Sequence, residues 1–126
     1  MQINILLIGY RENTPSFTNL ENTLMHLGEL LVLPEKNAMQ QILQQEYDVI
    51  IVDTSYIDNE ILLVSRIHAQ QPQARILVLT ASPTWRRARE ALQAGVIDYI
   101  KKSLSEREYA SILKDALAKK SPSRHQ

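Results

Sequence analysis

The chain predicts an α/β domain built on a doubly wound, five-stranded parallel sheet. Three observations carry the prediction. Five short apolar runs recur at Ile3 to Ile8, Leu30 to Leu33, Val49 to Val52, Ile76 to Leu79 and, more weakly, Ile97 to Ile100. The runs are near-continuous rather than alternating, as expected of strands covered on both faces of a parallel sheet. Between them lie longer stretches with helical periodicity, and strands alternating with helices imply right-handed crossovers.

Each helix has its own signals. Thr14 and Pro15 read as N-cap and first helical residue; Phe17, Leu20, Leu24 and Leu27 then share one stripe, and Gly28 closes the helix. A second helix is expected from about Asn37 to Gln45, with Ala38, Ile42 and Met39 inward. A third covers Asn59 to Ala69 and stops before Pro72, and a fourth starts near Ser82-Pro83-Thr84 and finishes at Gly95. In the fifth, Tyr109, Ile112, Leu113, Ala116 and Leu117 follow the spacing of one buried face. Ser105 and Glu108 have the spacing of a capping box before it.

Composition sets the class. With 126 residues the chain forms one domain, expected over residues 1–118, with 119–126 as a polar tail or linker stub. The absence of cysteine excludes thiolate zinc sites and thiol catalysis. Lys plus Arg and Asp plus Glu both number 14, so the chain lacks the basic excess of a protein that binds nucleic acid by bulk electrostatics. No apolar run approaches a membrane span, and Met1-Gln2-Ile3-Asn4 lacks a basic leader, so a cytoplasmic location without a secretory signal is expected.

In an open α/β sheet, chemistry collects beyond the carboxyl ends of the strands. Those ends carry Gly9 and Tyr10, Asp53 and Thr54, Thr80 and Ala81, and Lys101 and Lys102. An Asp, a Thr and a Lys converging there would make a pocket in which a carboxylate accepts a phosphoryl group. The ammonium and the hydroxyl would bind the phosphoryl oxygens. The turn after the first run, Gly9 to Thr14, has one glycine and no G-x-G-x-x-G, and no P-loop occurs, so nucleotide binding is poorly supported. An FMN-binding module at the same switch point is an alternative, although this turn has few donors for a phosphate. His26, His68 and His125 have no metal-ligand spacing, and no Ser-His-Asp set can be assembled from strand ends.

Three segments resemble one family. Tyr47-Asp48-Val49-Ile50-Ile51-Val52-Asp53 is similar to the phosphoacceptor strand of bacterial response-regulator receiver domains. Ile76-Leu77-Val78-Leu79-Thr80-Ala81 is similar to their fourth strand, and Ala94-Gly95-Val96-Ile97-Asp98-Tyr99-Ile100-Lys101-Lys102 to their fifth-strand region. The resemblance implies a flavodoxin-like fold with strand order 2-1-3-4-5 and a role in two-component phosphorelay signalling. It implies Asp53 as phosphoacceptor, Thr80 as switch hydroxyl, Tyr99 as switch aromatic and Lys102 as phosphate contact. A sensor histidine kinase or other signalling protein is the implied partner, with no membrane or direct nucleic-acid contact. The basic group Arg86, Arg87, Arg89 and Lys101 falls on the fourth helix and fifth strand. With the fifth helix these form the implied partner surface, where a homodimer could set the basic residues against Glu106, Glu108 or Asp115.

The sequence departs from the family at the first strand end. Receivers hold Mg²⁺ there with an acidic pair, and the matching positions are Gly9 and Tyr10. Magnesium beside a phosphate needs carboxylate oxygen, so the expected resident cofactor is none, and phosphotransfer should be slow or absent. Such an atypical receiver would act by protein contacts and would not itself be an enzyme, with Asp53 held by Lys102. The rival is a conventional receiver phosphorylated on Asp53. Glu12 and Asp58 lie on loops that could reach the rim without matching the family position. Tyr10 either fills the vacated metal space or points to solvent. Ser103 follows Lys102 where the family has a cis proline, so a trans bond and a displaced Lys102 are expected.

Overall fold

In the computed structural model, residues 2–119 are described. The expected tail at 119–126 and His125 therefore lie, apart from Lys119, outside the described residues. Five strands, β1 (Ile3–Ile8), β2 (Gly28–Leu33), β3 (Val49–Asp53), β4 (Arg75–Thr80) and β5 (Asp98–Lys101), form one parallel sheet in the order β2-β1-β3-β4-β5. The helices are α1 (Pro15–Leu27), α2 (Glu35–Gln44), α3 (Glu60–Gln70), α4 (Trp85–Gln93) and α5 (Glu106–Ala118), and a 3₁₀ turn spans Thr54–Tyr56. Among the described residues no helix is long and apolar enough to cross a membrane.

The sheet divides the core in two. On one face Leu6, Ile8, Ile50, Val52, Ile76 and Val78 pack with Ala38 and Ile42 of α2 and with Leu63, Val64 and Ile67 of α3. On the other, Ile5, Leu7, Val49, Ile51, Leu77 and Leu79 meet Phe17, Leu20 and Leu24 of α1 and Tyr109, Leu113 and Ala116 of α5. Successive strand residues alternate between the two clusters, which explains why the central stretches Ile5 to Ile8, Val49 to Val52 and Ile76 to Leu79 are apolar without interruption.

Helix boundaries follow the capping chemistry. Thr14, Asn59, Thr84 and Ser105 each accept a backbone N–H from the first turn of the helix they precede, and Ser105 and Glu108 make the expected reciprocal box. Helix α2 starts two residues before the expected Asn37, because Pro34 already stands at its N-cap position. Helix α4 ends at Gln93 and Gly95 then turns the chain at φ +117°, a left-handed conformation suited to glycine.

Strand β2 departs from expectation. It begins at Gly28 rather than Leu30, directly after α1. Its apolar run was expected to be covered on both faces, yet Leu30, Val32 and Leu33 are half-buried and Leu31 is exposed, because β2 is an edge strand.

A buried glutamine staples the far end of the sheet. The Gln71 side chain accepts from Tyr47 N–H at 2.9 Å and donates to the carbonyls of Ile42 and Gln45 at 2.9 and 2.6 Å. Gln71→Leu should cost about 2 kcal/mol, since it orphans buried backbone groups. Urea denaturation checks this, and an unchanged midpoint would contradict it.

Candidate functional site

The carboxyl ends of β1, β3 and β4 and the segment after β5 gather the expected residues. Asp53 closes β3 with its side chain 1% exposed, and its Oδ1 accepts from Ser55 N–H at 3.1 Å. Thr80 closes β4, buried, with Oγ1 accepting from Ser82 N–H at 3.2 Å. Its carbonyl accepts from Lys102 N–H at 2.7 Å, which ties the segment after β5 to β4. Lys102 Nζ lies 3.0 Å from Asp53 Oδ2, an ion pair.

Lys102 makes this contact although Ser103 stands where the family has proline. No cis peptide bond occurs among the described residues, as expected for Lys102-Ser103. Ser103 adopts φ +70°, and its N–H donates to Ser16 Oγ at 2.7 Å. The turn is accommodated at Ser103, and Lys102 still reaches Asp53.

A second carboxylate meets the same lysine. Glu12, from the loop after β1, accepts from Lys102 Nζ at 2.9 Å and from the Tyr56 hydroxyl at 2.6 Å. Lys102 also donates to Ser55 Oγ at 3.1 Å, and its ammonium lies 5.4 Å from the Tyr56 ring centroid. Of the two loop acids considered from sequence, Glu12 joins the cluster. Asp58 instead donates its backbone N–H to Glu35 at 3.2 Å.

Tyr56 was not legible as a site residue, because it sits in a loop without periodicity that the structure winds into a 3₁₀ turn. The turn brings its ring over Gly9, where a built Cβ would be 3.5 Å from Tyr56 Cδ2 and 3.0 Å from Asp53 Cβ. Tyr10 is 51% exposed and meets Tyr56 edge-on at 5.0 Å between ring centroids. Of its two readings, the structure supports the solvent-facing one.

Charge follows burial and pairing. Burial pushes the Asp53 carboxyl up, and Lys102 and the Ser55 N–H offset this only in part. Glu12 is held below the usual carboxylate range, chiefly by the Tyr56 hydroxyl and also by Lys102. Burial pulls Lys102 down, but Glu12 and Asp53 together outweigh it and leave the ammonium raised.

Tyr99 is half-buried on β5, and its hydroxyl reaches the Thr80 side chain and Glu60. Burial and the charge of Glu60 raise its hydroxyl, and burial raises Glu60 against the opposing charge of Arg87. Arg86, Arg87, Arg89 and Lys101 are exposed on α4 and β5, which pack together, and the Arg89 guanidinium lies 5.3 Å from the Trp85 ring. Among the described residues no group of three or more His, Cys, Asp or Glu side chains is placed to hold a metal ion.

The family model for the response regulator receiver domain matches residues 25–114. The chain belongs to the response regulator receiver domain family. This receiver domain is similar in fold to a response regulator from Thermotoga maritima, at TM-score 0.82 and 18% identity, over 94% of this chain and 100% of that one. It is likewise similar to HP1043, an orphan response regulator of H. pylori, at TM-score 0.77 and 20% identity over 91% and 96% of the two chains. A CheY-like receiver domain protein from Methanospirillum hungatei matches at TM-score 0.77 and 17% identity over 93% and 94%. No curated protein sequence matches the chain. The receiver domain thus has the flavodoxin-like fold expected from its sequence and belongs to two-component signalling, and family membership takes the place of the FMN alternative.

Proposed function

We propose that this receiver domain transmits its signal through protein contacts, and that metal-assisted phosphorylation of Asp53 is impaired. One observation carries the reading: Lys102 is shared between two carboxylates of this chain, Asp53 and Glu12. In a working site Asp53 would be the phosphoacceptor, Lys102 would contact the phosphoryl oxygens, and Thr80 and Tyr99 would respond to them. Here a resident carboxylate already engages the lysine.

The residues do not fit magnesium. A cation beside Asp53 requires hard oxygen ligands; Gly9 and Tyr10 supply no side-chain carboxylate, and the nearby Glu12 is engaged by Lys102 and Tyr56. An incoming phosphodonor therefore meets two carboxylates and a single ammonium. On this reading the domain is not an enzyme. A sensor histidine kinase or another signalling protein with an acidic surface docks on α4, β5 and α5, against Arg86, Arg87, Arg89 and Lys101.

The test is incubation with a small acyl phosphate and Mg²⁺, followed by intact mass. An unmodified wild-type protein is expected. A phosphoryl adduct on wild type that disappears in Asp53→Asn would establish the conventional receiver instead.

A further inference from the structure

Strand β2 has the composition of an interior strand and the position of an edge strand. Leu30 and Val32 pack in part on the α1 and α5 side of the sheet, and Leu33 in part on the α2 and α3 side. Leu31 is 37% exposed and Met25 of α1 is 61% exposed. A groove of about 510 Å³ runs along this edge, and its lining includes Gly28, Glu29, Leu30 and Leu31 with Met25 and Tyr47.

Exposed edges are normally guarded by lysine, proline or a bulge, because their free backbone groups can template another strand. The opposite edge, β5, has four residues and ends on the exposed Lys101. Strand β2 pairs with β1 over six residues in unbroken register and carries a single charge, the exposed Glu29, with neither lysine nor proline. The Leu33 carbonyl accepts from Gly9 N–H at 2.8 Å. In a parallel ladder Leu33, Leu31 and Glu29 therefore direct their backbone groups toward β1, and Leu30 and Val32 direct theirs outward.

We propose that a second copy of this chain pairs here, β2 antiparallel to β2 about a two-fold axis through Leu31. Each Leu30 then faces Val32 of the other copy, and these outward-facing residues exchange N–H···O bonds in both directions. Leu31 meets Leu31, with the side chains at the closer spacing of a non-hydrogen-bonded pair.

Charge favours this occupant and register. Glu29 shares the α2 face with Leu31 and Leu33, and lies opposite Leu33 of the other copy, three residues along the chain from the exposed Lys36 in the first turn of α2. Symmetry supplies that opposite-charge approach twice. An axis through Val32 would instead set Glu29 against Glu35. The pairing uses the sheet edge away from β5, so the α4, β5 and α5 face stays open to a signalling partner, whether or not Asp53 is phosphorylated.

Sedimentation equilibrium of the full chain over a range of concentrations tests the proposal. Wild type should dimerise reversibly, and Leu31→Lys should raise the dimer Kd at least about tenfold. The exposure of Leu31 leaves the monomer fold intact, which circular dichroism verifies. Glu29→Lys should weaken the dimer and Glu29→Lys with Lys36→Glu should restore it. The Leu30 and Val32 amides should exchange more slowly as concentration rises. A wild type that stays monomeric overturns the proposal, as does a dimer indifferent to Leu31→Lys. A dimer lost in Arg86→Glu with Arg89→Glu but kept in Leu31→Lys also overturns it, by placing the interface on α4.

Discussion

Lys102→Met should lower the unfolding free energy at pH 7 by about 3 kcal/mol, the low end for removing one partner of a buried ion pair. The low end applies because the Lys102 side chain keeps 16% exposure while Asp53 has 1%. What remains is a buried carboxylate with only the Ser55 N–H to satisfy it, next to a second carboxylate on Glu12. Asp53→Asn added to Lys102→Met should recover most of the loss. Chemical denaturation of the single and double variants checks both, and an unchanged stability in Lys102→Met would show that the ion pair contributes nothing net.

The same variant has a signed pH dependence. The folded-state Asp53 pKa is raised, so from about pH 4, where unfolded aspartate ionises, the native chain binds more protons than the unfolded one. Stability from this group therefore falls as pH rises through that window, and removing Lys102 extends the window upward. Glu12 acts in the opposite sense: its pKa is lowered, so its contribution is present above its unfolded pKa and lost as pH falls through the folded value. The gap between wild type and Lys102→Met should thus be wider at pH 7 than at pH 5.

Gly28→Ala should also destabilise by about 3 kcal/mol, at the upper end of ordinary overpacking. A Cβ on Gly28 would stand 2.0 Å from the Ile3 carbonyl oxygen and 2.8 Å from Ile3 C and N, all of them backbone atoms of the paired strand. No rotamer relieves such a clash; β1 and β2 must separate where their ladder begins. The φ of 178° is ordinary extended backbone, so the requirement is steric rather than conformational. A thermal midpoint equal to wild type would show that the strands shift at no cost.

Gly28 illustrates how far the sequence could be read. Its position after the Phe17, Leu20, Leu24 and Leu27 stripe marked the end of α1, and its N–H does accept that role by donating to the Leu24 carbonyl. That the same residue starts β2 and must lie against Ile3 is a relation between distant segments. The site divides in the same way. Asp53, Thr80 and Lys102 were legible because strand ends in a parallel sheet converge, and the apolar runs located those ends. Glu12 and Tyr56 belong to loops, where no period assigns a direction to a side chain. Their contact with Lys102 depends on a 3₁₀ turn and on a loop 44 residues earlier.

By itself the sequence determined the strand and helix succession, the two-sided core and the strand ends at which the pocket forms. Those features rest on local period and capping, which need only neighbours a few residues apart. Tertiary structure decided what the apolar run at Leu30 to Leu33 faces and what Lys102 holds. An apolar strand reads alike at the centre or the edge of a sheet, and only strand order leaves β2 half-covered. Likewise an ammonium reads alike whichever carboxylates surround it, and only the folded loops bring Glu12 and Asp53 to the same lysine.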